Sequence, residues 1–438
     1  MKEPMHQPWR QRTKTSVMLA PFISWMREYS RNTFRADFVA GMTVAVVLTP
    51  QAMAYALLAG LPPIVGFYAA LIGAVVASLW GSSRQLSTGP VAIVSFLVFS
   101  TLVPLAEPGS AEFIALAAGL AIISGLILFL LGIFRLGAIM RFIPHAVIIG
   151  FASAAALIIA VTQVPALLGF EVERYAFMMP SIWSIGTNLI DLNIPTTILG
   201  VSALAALWAL KRFRPGLPAA LIVLITAVVT SYAFSFDKMG IALIGDIPAV
   251  LPSFALPSLA FSDWLVLIGK SWVIALVGFV ETYAIAKSIA SRTKQHVDVD
   301  QELVGQGLAN MAVGLFKGYP VSASFSRTAV NIAAGSQTGM SSVIAALAVL
   351  LILFLISPIL FYIPLSVLAA IVMISVIELI DTQKIREAYR ISRTDGLVAI
   401  ITFASAFILK PDDAVLIGVI VALALILHQH AEMLPEYL

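Results

Sequence analysis

The chain has 438 residues, 60% hydrophobic and only 11% charged, with a formal net charge of +3 and a mean hydropathy of +0.99. A soluble globular protein carries about 25% charged residues, so this composition excludes one and specifies an integral membrane protein. The absence of cysteine excludes disulfide scaffolds, thiolate metal sites and cysteine nucleophiles.

Apolar runs of about 15–25 residues recur along the chain, which predicts spanning helices and not the alternating segments of an outer-membrane barrel. Residues 1–38 are polar and basic, with no cleavage pattern behind an apolar core. They predict a cytoplasmic arm ending in an amphipathic interfacial helix over Trp25–Phe38. Spans are then predicted at Ala40–Leu58, interrupted at Thr49-Pro50, at Val65–Trp80 and, shorter, at Gly89–Val103. Phe113–Phe134, Pro144–Val164, Pro195–Leu210 and Pro218–Phe234 complete a first group of seven. The second group is Leu265–Lys287, Glu302–Phe316, the short Ser324–Ala334, Val343–Tyr362, Leu365–Leu379, Asp395–Leu409 and Ala414–His428.

Charge placement agrees with fourteen spans and cytoplasmic termini. Lys2, Arg10, Arg12, Lys14, Arg27, Arg31 and Arg35 lie in the arm, and the loops after even-numbered spans hold Arg135 and Arg141, Lys211 to Arg214, Lys287 to Lys294, and Lys384 to Arg393. The opposite loops carry Glu107, Glu112, Glu171, Glu173, Asp237, Asp246, Asp412 and Asp413. Cytoplasmic loops of membrane proteins gather Lys and Arg in this way.

The two halves echo each other. Spans three and ten are too short to cross, and each follows Gly/Pro/Ser-rich sequence, Ser87-Thr88-Gly89-Pro90 and Pro320–Ser324. Seven spans per half puts these two in matching places, and an odd number makes the repeats inverted. Interrupted short segments at matching places in inverted halves point to a midplane substrate site in a secondary transporter.

Ionisable residues inside spans are costly and need a reason. Arg327 lies at a predicted helix start among Ser322, Ser324 and Ser326. There a guanidinium and the positive end of a helix suit an anion. The alternative is a structural arginine paired with a carboxylate or carbonyls. Glu281 lies mid-span; removal from water disfavours a charged carboxyl, so it is the candidate proton carrier, with a fixed ion pair to Arg327 as the alternative. Gln51 and Tyr55, four apart, share a helix face and can hydrogen-bond a polar substrate or tie helices. Thr88, Val91 and Ala92 belong to the start of span three, and Ser324, Phe325 and Ser326 to that of span ten. Hydroxyls at such starts also serve as ordinary caps. Arg84 reads as a loop anchor, Lys270 as a lysine reaching to the interface, and Gln306 and Asn331 as interhelical hydrogen-bonders. The histidines at 6, 145, 296, 428 and 430 form no metal-ligand pattern. No phosphate-binding loop, zinc-protease motif or nucleophile elbow is present. An enzyme, a cofactor or a nucleic-acid partner is therefore not expected.

Four stretches resemble the SulP/SLC26 anion transporter family: TPQAMAYALLAGLPP (49–63), GSSRQLSTGPVA (81–92), VETYAIAK (280–287) and GYPVSASFSRTAVN (318–331). The likeness covers residue 35 to the end. It implies a 7+7 inverted-repeat fold like that of the nucleobase transporters, with anion bound between the starts of spans three and ten. The implied division is a core domain of residues 39–134 and 265–362 and a gate domain of residues 135–264 and 363–430. The resemblance also implies homodimers and an elevator-like displacement of the core. The Ser-Phe-Ser-Arg form looks like the sulfate-permease branch, in which Ser326 and Arg327 would contact the anion, and Glu281 resembles proton-coupled members. The family's cytoplasmic STAS domain is expected after the last span, and only residues 431–438 follow it here. The expected function is proton-coupled sulfate symport in the inner membrane. Its rivals are dicarboxylate or bicarbonate transport or anion exchange, an anion channel, and a nucleobase symporter, which would not need Arg327.

Overall fold

The computed structural model of the protein describes residues 20–138, 145–173, 175, 178–214, 216–377, 379–380, 386, 389–390 and 392–433. The expected arm residues Lys2, Arg10, Arg12 and Lys14, the loop residues Arg141 and Lys384, and the tail past residue 433 lie outside the described residues.

A short helix α1 (Phe22–Met26) opens the fold, and the Ser30 hydroxyl accepts from the Thr33 amide at 3.2 Å to start α2 (Arg31–Leu58). Two expectations change here. Most of the segment predicted to lie along the interface belongs to α2, and α2 runs unbroken through Pro50. Proline removes one amide donor, and the Thr49 hydroxyl turns to the Ala45 carbonyl at 2.8 Å. Packing against α3 (Pro63–Trp80) and α13 (Met340–Leu360) holds the helix on both sides of the proline.

Between them, the strand β1 (Thr88–Gly89) leads into α4 (Ala92–Leu102), every residue of which is buried. Then come α5 (Ala111–Ile133), α6 (His145–Leu168), α7 (Met178–Thr187), α8 (Ile194–Phe213) and α9 (Ala219–Phe234). The second half runs α10 (Phe261–Thr293), α11 (Val299–Leu315), β2 (Ser322–Ala323) and α12 (Phe325–Ala333). After α13 follow α14 (Leu365–Ile377), α15 (Arg393–Ile408) and α16 (Pro411–Met433). Each predicted span is thus a helix, and α7 is an addition. Seven of the described helices are long and apolar enough to cross a membrane on their own, and α4, α9 and α14 are shorter apolar helices. The chain is a multi-pass, all-α membrane protein.

The tightest seam joins α5 to α11. A Cβ added at Gly125 would stand 2.5 Å from the Met311 amide, and one at Gly307 would stand 2.5 Å from the Phe129 amide. Gly132 and Gly314 repeat the pattern one heptad further along each helix. Small residues spaced along one face let membrane helices approach backbone to backbone. Helix α11 also packs on α3, and α10 on α5; α6 packs on α8, α14 and α15.

Two further features escaped the sequence. Asp37, fully buried on α2, accepts from the amides of Gln337 (2.7 Å) and Thr338 (3.1 Å) and from the Thr338 hydroxyl, fixing the turn before α13. Residues 241–260 run without helix between α9 and α10. They are pinned by Ile244 N–H to the Ile363 carbonyl (2.9 Å), Leu365 N–H to the Ala242 carbonyl (3.0 Å), Ala255 N–H to the Leu315 carbonyl (2.9 Å) and Tyr68 O–H to the Val250 carbonyl (3.1 Å).

Candidate functional site

The two short segments meet. β1 and β2 pair antiparallel, Thr88 opposite Ala323 and Gly89 opposite Ser322, and the Ser324 amide extends the pairing to the Ser87 carbonyl at 2.9 Å. In return the Thr328 hydroxyl accepts from the Ser87 amide at 3.0 Å. The chain thus leaves β1 into α4 and β2 into α12 from one shared hydrogen-bonded patch. No side chain caps α4, whose N-cap is Val91 in extended conformation, so its first amides keep their donors. At α12 the Ser324 hydroxyl accepts from the Arg327 amide at 3.4 Å and lies 3.3 Å from the Ser326 hydroxyl.

Arg327, 0% exposed, crosses from the first turn of α12 to the other segment. Its Nη1 donates to the Pro90 carbonyl at 2.8 Å and to Gln51 Oε1 at 3.0 Å. Its Nε and Nη2 are buried without a partner among the described residues. A Cβ on Gly89 would stand 3.4 Å from Nη2, so the glycine leaves that side of the fork open. A guanidinium offers five N–H donors in a plane, and leaving part of that fork unpaired in a buried site is expensive. The arrangement suits a planar pair of anionic oxygens.

The other predicted residues fall around this point unequally. Gln51, Tyr55, Thr88, Val91, Ala92 and Ser324 are buried, and Ser326 is half-buried. Gln51 touches Arg327 directly, whereas Thr88 is engaged by Gln306 at 2.9 Å. Phe325 is 58% exposed at the first turn of α12. Glu281 makes no ion pair with Arg327, and Glu281 Oε2 is buried without a hydrogen-bond partner among the described residues.

Among the secondary assignments, Asn331 Nδ2 donates to the Gln85 carbonyl (2.9 Å) and the Arg84 amide donates to Gln295 Oε1 (3.2 Å). Lys270 differs from expectation. Its Nζ lies 3.6 Å from Asp412 Oδ2, joining α10 to the start of α16 instead of reaching outward alone. No group of three His, Cys, Asp or Glu side chains able to hold a metal ion occurs among the described residues.

Sequence reasoning missed several supports of the site. Glu302 accepts from the amides of Ser82 (2.9 Å) and Ser83 (3.1 Å), holding the loop before β1. Asn310 both donates to the Val321 carbonyl (3.1 Å) and accepts from its amide (2.8 Å). Thr282 and Ser322 hydroxyls lie 3.0 Å apart, Ser322 donates to the Gly278 carbonyl (2.7 Å), and Tyr319 shares a 3.0 Å hydrogen bond with Ser95. The only sequence signal was polar residues inside apolar runs. A cavity of about 30 Å³ is lined by Leu58, Phe96, Phe99, Gln163, Glu173 and Tyr175 among others. At its rim Tyr175 donates to Glu173 at 2.8 Å, which raises the phenol's pKa above its ordinary value.

Comparison with known proteins gives a consistent picture. The model for the sulfate permease family matches residues 34–402. The chain is 36% identical over 424 residues to the chloroplastic sulfate transporter 4.1 of Arabidopsis thaliana, an alignment covering 94% of this chain and 61% of that protein. The chain therefore spans about three fifths of that relative's length. Among solved structures, the transmembrane domain of the cyanobacterium bicarbonate transporter BicA superposes with a TM-score of 0.77 at 25% identity, covering 90% of this chain and 98% of that one. Murine Solute Carrier 26 family member A9, an anion transporter in the inward-facing state, shares the fold with a TM-score of 0.88 at 23% identity, over 96% of this chain and 74% of that one.

Proposed function

The chain belongs to the sulfate permease family, and from that premise we propose that it is a secondary active anion transporter, a proton-coupled sulfate symporter of the inner membrane. One observation carries the reading. Arg327 is fully buried, anchored through Nη1 to the other half of the site, and presents Nε and Nη2 with no partner among the described residues. A guanidinium fork held in this way matches two oxygens of a tetrahedral oxyanion. The open amides at the start of α4 and the hydroxyls of Ser324 and Ser326 supply the remaining donors.

In this scheme Glu281 carries the proton. Its unpartnered oxygen and its distance from a direct ion pair leave it free to change state without dismantling the arginine's anchor. Proton entry with the anion offsets part of the anion's charge. Transport proceeds by alternating access, a core of residues 39–134 and 265–362 sliding against a gate of residues 135–264 and 363–430. The two halves of the chain are inverted seven-span repeats, each contributing to both core and gate, and the protein works as a homodimer with cytoplasmic termini.

A second reading, bicarbonate as the carried ion, is favoured by the likeness to a bicarbonate transporter's transmembrane domain. Uptake of labelled sulfate and bicarbonate into proteoliposomes, with and without an acid-outside pH gradient, separates the two. Saturable sulfate uptake accelerated by the gradient is expected. Non-saturating flux without counterflow would mean a channel and would overturn the proposal.

A further inference from the structure

Three polar side chains stand four residues apart on α11: Glu302, Gln306 and Asn310. A spacing of four places them on one helix face, and all three are buried. Each reaches the polypeptide flanking the site. Glu302 holds the Ser82 and Ser83 amides before β1, Gln306 Nε2 donates to Thr88 Oγ1 on β1 at 2.9 Å, and Asn310 clasps both backbone groups of Val321 before β2. Gln306 Nε2 also donates to Glu302 Oε1 at 3.2 Å, and Asn310 Nδ2 to the Gln306 carbonyl at 3.0 Å. The ladder is therefore continuous.

Burying three polar side chains in a membrane domain is costly unless each is bonded, and apolar residues would pack α11 at less cost. The bonds made here share a target, the spacing and register of the two segments that leave as α4 and α12. Thr88 adjoins Gly89, where an added Cβ would stand 3.4 Å from Arg327 Nη2, so a shift of β1 alters the space beside the open half of the guanidinium. The remaining Gln306 atom, Oε1, and Ser124 Oγ are buried without partners among the described residues, and both residues line a cavity of about 10 Å³ with Gly278 and Thr282. That is room for at most a single water, which would satisfy both without loosening the grip on Thr88.

We propose that the Glu302–Gln306–Asn310 ladder is the positioning element of the anion site, and that Gln306, acting through Thr88, sets how well the site fits its anion. The proposal rests on the reading of Arg327 as the anion ligand. The test measures initial rates against concentration in proteoliposomes for the full chain and for Gln306→Leu, Thr88→Val, their double variant and Arg327→Ala. The probe is labelled sulfate, or labelled bicarbonate if that is the ion the wild type carries.

Gln306→Leu keeps the volume and removes the donors. It is expected to raise KM about tenfold, the scale of one lost buried hydrogen bond, with the maximal rate within about twofold. Thr88→Val breaks the same bond from the other end and is expected to match it. The double variant is expected to be no worse than the poorer single, as for two partners in one interaction. An unchanged KM in both singles, or effects that multiply in the double, would overturn the ladder proposal. A fall in maximal rate and thermal stability with KM unchanged would mark a purely structural role. Wild-type KM in Arg327→Ala would sink the site assignment itself, a distinct failure.

Discussion

At the scale of single residues, the proposed scheme gives anion binding to Arg327 and proton coupling to Glu281. Arg327→Lys keeps the positive charge but cannot hold the Pro90 carbonyl and Gln51 while presenting a second pair of donors. Anion affinity is expected to fall at least about tenfold, the scale of one charge-assisted hydrogen bond, with the thermal transition unchanged; sulfate titration by calorimetry or a stability shift checks it. Glu281→Gln is expected to keep anion exchange and lose acceleration by an acid-outside gradient. The sign is fixed by the carrier role: wild-type uptake rises as external pH falls, and the variant's stays flat. A variant whose accumulation still follows the gradient would move the proton elsewhere. Arg327 and Glu281 were legible in the sequence because a charge inside an apolar run is conspicuous. Glu302 and Asp37 were not, because each stands near the end of a span and resembles an ordinary boundary carboxylate. Their partners lie 220 and about 300 residues away along the chain.

At the scale of elements, hydropathy placed the long spans, since lipid demands long apolar segments with internally satisfied backbone, and Gly/Pro/Ser punctuation placed the two short ones. The sequence reading misjudged Pro50, where neighbouring helices hold α2 straight through a residue that would break an isolated helix. The same limitation hid β1 and β2. Two-residue strands have no periodicity of their own, and the side chains of α11 that bond to both flanks lie far from β1 along the chain. The α5–α11 seam gives a direct test. Gly307→Val would drive a side chain into the Phe129 backbone, and overpacking of this kind costs about 1–3 kcal/mol. A lowered melting temperature in detergent is expected. An unaltered melting temperature would mean that the seam relaxes freely.

At the scale of the whole molecule, Lys270 and Asp412 join α10 to α16, elements of the two bodies that the transport scheme sets sliding. Lys270 is partly exposed and Asp412 largely buried, and a single contact at 3.6 Å can be made and broken in each cycle. The natural chain has no cysteine, so Lys270→Cys with Asp412→Cys gives a clean pair for a short, cleavable thiol crosslinker. Crosslinking is expected to stop uptake and reduction to restore it; full-rate transport by the crosslinked protein would show that α10 and α16 do not move apart. The pairing of β1 with β2 has a consequence of another kind. The donors contributed by the two halves of the chain are stitched together by backbone hydrogen bonds, so in the proposed sliding scheme they would travel as one piece of cargo hold whatever surface does the sliding. On that scheme, choice of ion and speed of passage would be inherited from different parts of the sequence. Changes along the sliding surface would then retune turnover for a new membrane or temperature while the chemical preference of the carrier passes through untouched.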